Sequence, residues 1–175
     1  MIVVDIETTS LDKNKCGLLS IGAVDYDSDK EFYVECYPTN DPDIDPVSLK
    51  HNGTKLEDIY NKAKSDKEAI IDFFIWTLDI NEGNLLAGHN IGNFDAMILH
   101  RLWDGTFHAD WPWGHRFVDL HTIAYDRFMI SMGMDAILEK LGSAPEPKPH
   151  TAINGARLEK WAFKQLFNMN SIYHL

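Results

Sequence analysis

Residues 1–10 read "MIVVDIETTS". Ile2, Val3, Val4 and Ile6 have the composition of a buried strand, yet Asp5 and Glu7 sit among them. Side chains alternate along a strand, so Val3, Asp5 and Glu7 share one face while Ile2, Val4 and Ile6 share the other. The two acids therefore converge at the strand's C-terminal end. A buried unpaired carboxylate is costly, and two neighbouring ones repel each other. Two readings stand at this point. In one, a divalent cation sits between the acids, since hard cations favour clustered carboxylate oxygens. In the other, Glu7 is already in a solvated turn and Asp5 caps a local backbone amide.

The surrounding chain sets the frame. At 175 residues, 45% hydrophobic and 25% charged, it has the size of one globular domain, residues 1–175, with a sizeable core. No apolar run reaches the roughly 18 residues of a membrane span, and from the strand-like start no signal peptide is expected. Cys16 and Cys36 show no metal-binding spacing. The expectation is a soluble, cytoplasmic protein with free thiols and no membrane partner. A formal charge of −11 argues against broad electrostatic capture of a polyanion, while a local acidic site neutralised by metal remains compatible with it.

Alternation predicts strands over residues 1–6, 17–26 and 30–37, the last two joined by the acidic turn at 27–29. Residues 38–64 are turn-rich with short helical pieces. A helix follows from Ser65, a predicted N-cap with Glu68 completing a capping box. A short strand at 84–88 leads into a helix over 93–103. "RFVDL" reads as one more strand, with helical stretches over 120–132 and 134–141 and a last helix over 151–168. Strands first, then strand–helix alternation, predict an α/β fold with helices packed on a mixed sheet.

Two further features bear on the acids. In "LLAGHNIGNFDAMILHRL", Asp95 opens a helix whose apolar stripe runs through Ile98, Leu99 and Leu102. Asp95 thus faces the core at the helix end that tolerates a carboxylate, though it also reads as a plain complement to the helix dipole. His150, in "KPHTAINGARLEKWAF", stands just ahead of the last helix.

Together "VVDIETTSL", "GHNIGNFD" and "HTAINGA" resemble the three motifs of the DEDDh 3′–5′ exonucleases, a superfamily that includes the epsilon subunit of DNA polymerase III, exonuclease I and ribonuclease T. The resemblance covers nearly the whole chain and implies a ribonuclease H-like fold. It implies a phosphodiester hydrolase that releases nucleoside 5′-monophosphates with two divalent ions, Mg²⁺ or Mn²⁺. Asp5, Glu7 and Asp95 would hold the metals, and His150 would deprotonate the attacking water. Thr8, Thr9 and Leu11 match positions that hold the terminal nucleotide. His89, Asn90 and Phe94 complete the substrate-binding set, Phe94 by stacking on a base. His89 also reads as a loop-fixing residue and Asn90 as a helix cap. The partners implied are 3′ ends of single-stranded DNA or RNA, and a polymerase or repair complex.

One departure matters. The superfamily places its fourth carboxylate five residues after the histidine, where this chain has Gly155. At 100° per residue, Ala152, Ala156, Phe163, Leu166 and Phe167 form an apolar stripe, with Gly155 on its edge and Glu159 near its centre. Glu159 is the substitute ligand this geometry suggests; the alternative is that it pairs with a base at the helix edge. Without a fourth carboxylate, the chain would be an impaired exonuclease fold that binds 3′ ends or scaffolds a partner. A hydrolase of very short oligonucleotides is the third reading. Trp103, Trp111 and Trp113 read as a packed loop rather than a base platform, and the acidic runs at 25–31 and 41–45 as solvated turns.

Overall fold

The structure is a computed structural model that describes residues 1–80, 85–107 and 109–171. Asn84, the expected start of the fourth strand, and His108 lie outside those residues. Five strands form one mixed sheet in the order β3-β2-β1-β4-β5. They are β1 (Ile2–Thr8), β2 (Leu18–Asp25), β3 (Glu31–Glu35), β4 (Leu86–Gly88) and β5 (Phe117–Asp119). The first three are antiparallel, and β4 and β5 run parallel to β1. The helices are α1 (Pro46–Asn52), α2 (Asp66–Leu78), α3 (Asp95–Phe107), α4 (Leu120–Phe128), α5 (Met134–Lys140) and α6 (Ala152–Ser171), with a 3-10 turn at Leu56–Asp58.

The alternation in β1 separates two cores. Ile2, Val4 and Ile6 pack with Ile70 and Phe73 of α2 and Ile98 and Leu99 of α3. Val3 packs on the other face with Leu120, Ile137, Ala156 and Phe163, from α4, α5 and α6. Both faces of β2 are covered, which is why all its residues are buried. At the edge, β3 turns Phe32 and Val34 toward the sheet's core and Glu31, Tyr33 and Glu35 outward. Charged edge residues discourage pairing with another chain.

The helix boundaries follow local chemistry. Ser65 caps α2, its hydroxyl accepting from Glu68 N–H while the Glu68 side chain accepts from Ser65 N–H. Trp113 is fully buried, its ring 5.0 Å from that of Phe73 and 5.5 Å from that of Trp103. The tryptophan-rich loop is therefore core packing.

The two acidic stretches are exposed or half-buried at most positions, as expected for turns, and two of their acids organise local structure. Asp25 is buried, and its carboxylate accepts from Ser28 Oγ and Asp27 N–H to organise the β2–β3 turn. Asp45 caps α1 by accepting from Val47 N–H at 2.9 Å. Short turns leave backbone donors that such side chains satisfy. Cys16 and Cys36 are free and buried.

Candidate active site

The parallel strands β1, β4 and β5 end at the same edge, and a cleft of about 640 Å³ opens there. This is where α/β sheets place their ligands, beyond the carboxyl ends of the strands at a change of strand order. Asp5 and Glu7 enter the cleft from β1, Asp95 from the start of α3, Glu159 from α6, and His150 from the segment joining α5 to α6. Leu11, His89, Asn90 and Phe94 also line it.

Asp95 solves a local problem. Strand β4 pairs with β1 only at Ile2 and Val3. Beyond that point the Ile6 N–H has no strand partner on this side, and the Asp95 carboxylate accepts from it at 3.2 Å. This hydrogen bond ties α3 to β1 and fixes a buried acid at the cleft floor.

The approach of α6 depends on two glycines. A β-carbon on Gly22, which pairs with Asp5 across β1–β2, would stand 2.2 Å from the backbone of Ala152 and Ile153. A β-carbon on Gly155 would stand 2.1 Å from Asp5 Oδ2. Gly155 is therefore not a mere lost ligand: the space for a side chain there is taken by Asp5. One turn further along α6, Glu159 is 4% exposed and reaches into the cleft. Its Oε1 accepts from the His89 backbone N–H at 3.2 Å, and its Oε2 is buried without a partner. The described ion pairs, such as Lys62–Glu35 and Arg157–Glu31, use other carboxylates. The helix-edge base that the alternative reading required is not paired with Glu159 among the described residues.

A fifth acid, Glu146, joins the cleft from the "PEPKPH" segment. Its Oε2 lies 3.1 Å from His150 Nδ1, and its backbone N–H donates to Asp135 Oδ1 at 3.1 Å. Sequence periodicity could not place it, because the segment is irregular; an acid four residues before the histidine was the only signal. Glycine in the middle of β2 was a second missed signal, since such a residue marks close backbone approach.

Burial first, and then mutual repulsion, raises the pKa values of these carboxyl groups. Asp5 is held well above the usual carboxylate range by burial, then by the charges of Glu159, Asp95, Glu7 and Glu146. Glu159 is likewise raised, by burial and then Asp95. Burial pushes Glu7, Asp95 and Glu146 each up to about 7. Burial and the neighbouring His51 hold the His150 imidazole below its ordinary value.

Other expected contacts land differently. Thr9 is fully buried and outside the cleft, with its hydroxyl donating to Asp43 O and accepting from Gly17 N–H. Its backbone N–H and C=O are also engaged, with Gly17 and Asp45. Thr9's hydroxyl and backbone groups hold the loop. Thr8 is buried, its hydroxyl donating to Ser10 O, and it borders an adjoining cavity rather than the cleft. Asn90 adopts a left-handed conformation (φ 58°) in the turn before α3, too early in the chain to occupy its cap position. The His89 ring contacts Met132 O at 3.3 Å, so it braces the cleft wall. Asp119 caps α4 by accepting from Thr122 N–H.

Do these residues suit divalent cations? The donor set is hard oxygen, Asp95 and Glu159 are buried, and Glu159 Oε2 lacks a partner. As placed, no three His, Cys, Asp or Glu side chains among the described residues converge into a closed cage. Hard divalent cations are also held by one or two carboxylates together with waters and substrate phosphates. The residues fit an open site.

The sequence profile of a family described as exonuclease matches residues 2–158, and this chain belongs to that exonuclease family. It is 30% identical over 173 residues to the PolC-type DNA polymerase III of Thermotoga petrophila, covering 96% of this chain. The chain spans 12% of that polymerase's length. The zinc-bound form of E. coli exonuclease I with single-stranded DNA shares the fold, at a TM-score of 0.73 and 13% identity over 97% of this chain and 40% of that one. The nuclease domain of 3′hExo, a DEDDh family member bound to rAMP, has a TM-score of 0.73 at 10% identity, covering 95% of this chain and 90% of that one. The expected ribonuclease H-like α/β fold is the fold observed. Among the described residues, no helix is long and apolar enough to cross a membrane.

Proposed function

We propose that this domain is a divalent-metal-dependent exonuclease that removes nucleoside 5′-monophosphates from single-stranded or frayed 3′ ends. The observation that carries the reading is the set of acids, buried Asp95 and Glu159 with partly buried Asp5, facing one cleft without a described Lys or Arg partner. Such a set is unfavourable alone and favourable around cations. Glu159 takes the part of the carboxylate absent at 155, which removes the reason for reading the fold as catalytically silent.

Asp5, Glu7, Asp95 and Glu159 would hold two ions, Mg²⁺ or Mn²⁺, which when bound activate a water and stabilise the leaving 3′-oxygen. The chain's own groups do the rest. His150 presents a buried, unpartnered Nε2 that accepts the water's proton. Leu11, 76% exposed at the cleft mouth, and Phe94 give apolar and aromatic contact to the terminal bases. Stacking of this kind is tolerant of sequence and needs little basic surface. The single-stranded DNA in the exonuclease I structure and the rAMP in the 3′hExo structure support a single-stranded nucleic acid as substrate and a mononucleotide as product, and the PolC-type relative supports work beside a polymerase.

The test is digestion of 5′-labelled single-stranded DNA and RNA in Mg²⁺, Mn²⁺ or EDTA, with Asp5→Asn beside the wild type. A ladder shortening from the 3′ end, abolished by EDTA and by the substitution, is expected. Intact oligonucleotide under every metal, with 3′-end binding retained, would overturn the reading.

A further inference from the structure

We propose that Glu146 is a positioning residue for His150, fixing the imidazole so that Nδ1 carries the hydrogen and Nε2 is left as the proton acceptor. The inference deepens the reading above and rests on His150 acting as the proton acceptor. Glu146 Oε2 lies 3.1 Å from Nδ1, and both side chains are largely withdrawn from solvent, at 8% and 14% exposure. A carboxylate accepts only, so the shared hydrogen sits on Nδ1 when the imidazole is neutral. Nε2 then bears a lone pair, and it is buried with no partner in the protein. A buried acceptor left open costs roughly 1–3 kcal/mol, which a water brought with substrate would relieve.

The arrangement is supported from two sides. Asp135, in the first turn of α5, accepts from Glu146 N–H and anchors the acid's backbone. On the other side, His51 O accepts from His150 N–H at 3.1 Å, and the two imidazole rings pack with centroids 3.9 Å apart. The histidine is thus held at its backbone, its ring face and Nδ1, and only Nε2 is free. An imidazole held in one tautomer by a carboxylate transfers protons in one direction without first reorienting.

Two measurements test this. In metal-free, ¹⁵N-histidine-labelled protein at about pH 8.5, above the ordinary imidazole range, NMR should show His150 in the Nδ1–H tautomer. Glu146→Ala should release it to a mixture. In Mg²⁺ digestion, Glu146→Ala should lower kcat by about 100-fold and Glu146→Gln by about 10-fold, a share of the usual worth of a general base. KM should change less than about threefold, and Glu146→Asp should recover part of the loss, which a merely structural role would not give. The groups facing His150 are Glu146, His51, Asp135 and Lys148. Removing the Glu146 charge destabilises the imidazolium, so the acid limb of the rate profile should move to lower pH in Glu146→Gln. An Nε2–H tautomer in the wild type, or wild-type kcat in Glu146→Ala, would overturn the proposal. The tautomer is readable without turnover, so failure here is distinguishable from failure of the exonuclease reading.

Discussion

Gly155 and Asp5 occupy adjoining space that admits no side chain at 155: a β-carbon there would lie 2.1 Å from Asp5 Oδ2 and 2.8 Å from Asp5 Cγ. The acid on β1 and the glycine on α6 are one feature of the site. The obstructing atoms belong to the Asp5 carboxylate rather than to backbone, so Asp5 would have to leave its position to make room.

It follows that restoring the superfamily's usual acid is harmful. Gly155→Asp should reduce exonuclease activity at least about 100-fold, by displacing Asp5 from the metals it would hold. Gly155→Ala should do nearly as much. The stability loss should stay within about 1–3 kcal/mol, the usual range for overpacking. Thermal denaturation beside the digestion assay separates the two effects.

The acids also set a pH dependence for the metal-free protein. Glu7, Asp95 and Glu146 are raised to about 7, and Asp5 and Glu159 are raised well above their ordinary values. For an acid raised in the folded state, the folded form binds more protons, so stability falls as pH rises. Their contribution is complete below the ordinary carboxylate range of about 4 and is lost as pH passes 7. In EDTA the melting temperature should therefore fall between about pH 5 and pH 8. Saturating Mn²⁺ should recover much of the loss at the upper end, because it binds only the folded site.

Activity should depend weakly on salt. The chain carries a net charge of −11, and the proposed grip is local. A protein making few phosphate contacts has a shallow slope of log affinity against log salt, here expected to be no steeper than about −2. Titrating NaCl at fixed Mg²⁺ in a 3′-end binding assay measures it.

Ser65→Ala is a control outside the site. It removes the hydroxyl that accepts from Glu68 N–H and should cost about 1 kcal/mol of stability. kcat should not change.

Much of this was legible in the chain. The two-residue period of Ile2–Ile6 separated the core faces correctly, and the Ser65–Glu68 pair marked the start of α2. The stripe through Ala156, Phe163 and Leu166 put Glu159 on the buried side of α6, where the structure has it. What could not be read depends on non-local fit. Glu146 reaches His150 through an irregular segment with no periodicity to extrapolate. Thr9 lies beside the acids in sequence, but its hydrogen bonds go to Gly17 and Asp43, which only the folded loop brings near. Asp25 is buried where Ser28 folds back onto it, although the stretch that follows, Asp27 to Lys30, is polar.

The most direct test of the central claim is a calorimetric titration of Mn²⁺ into wild-type and Glu159→Gln protein, paired with digestion of a 5′-labelled oligonucleotide by each. If Glu159 replaces the acid absent at 155, the substitution should weaken Mn²⁺ binding about 10-fold or more and lower kcat by at least about 100-fold. The metal-free protein should melt higher, because a buried like charge has been removed. Unchanged Mn²⁺ affinity and unchanged turnover in Glu159→Gln would contradict the account.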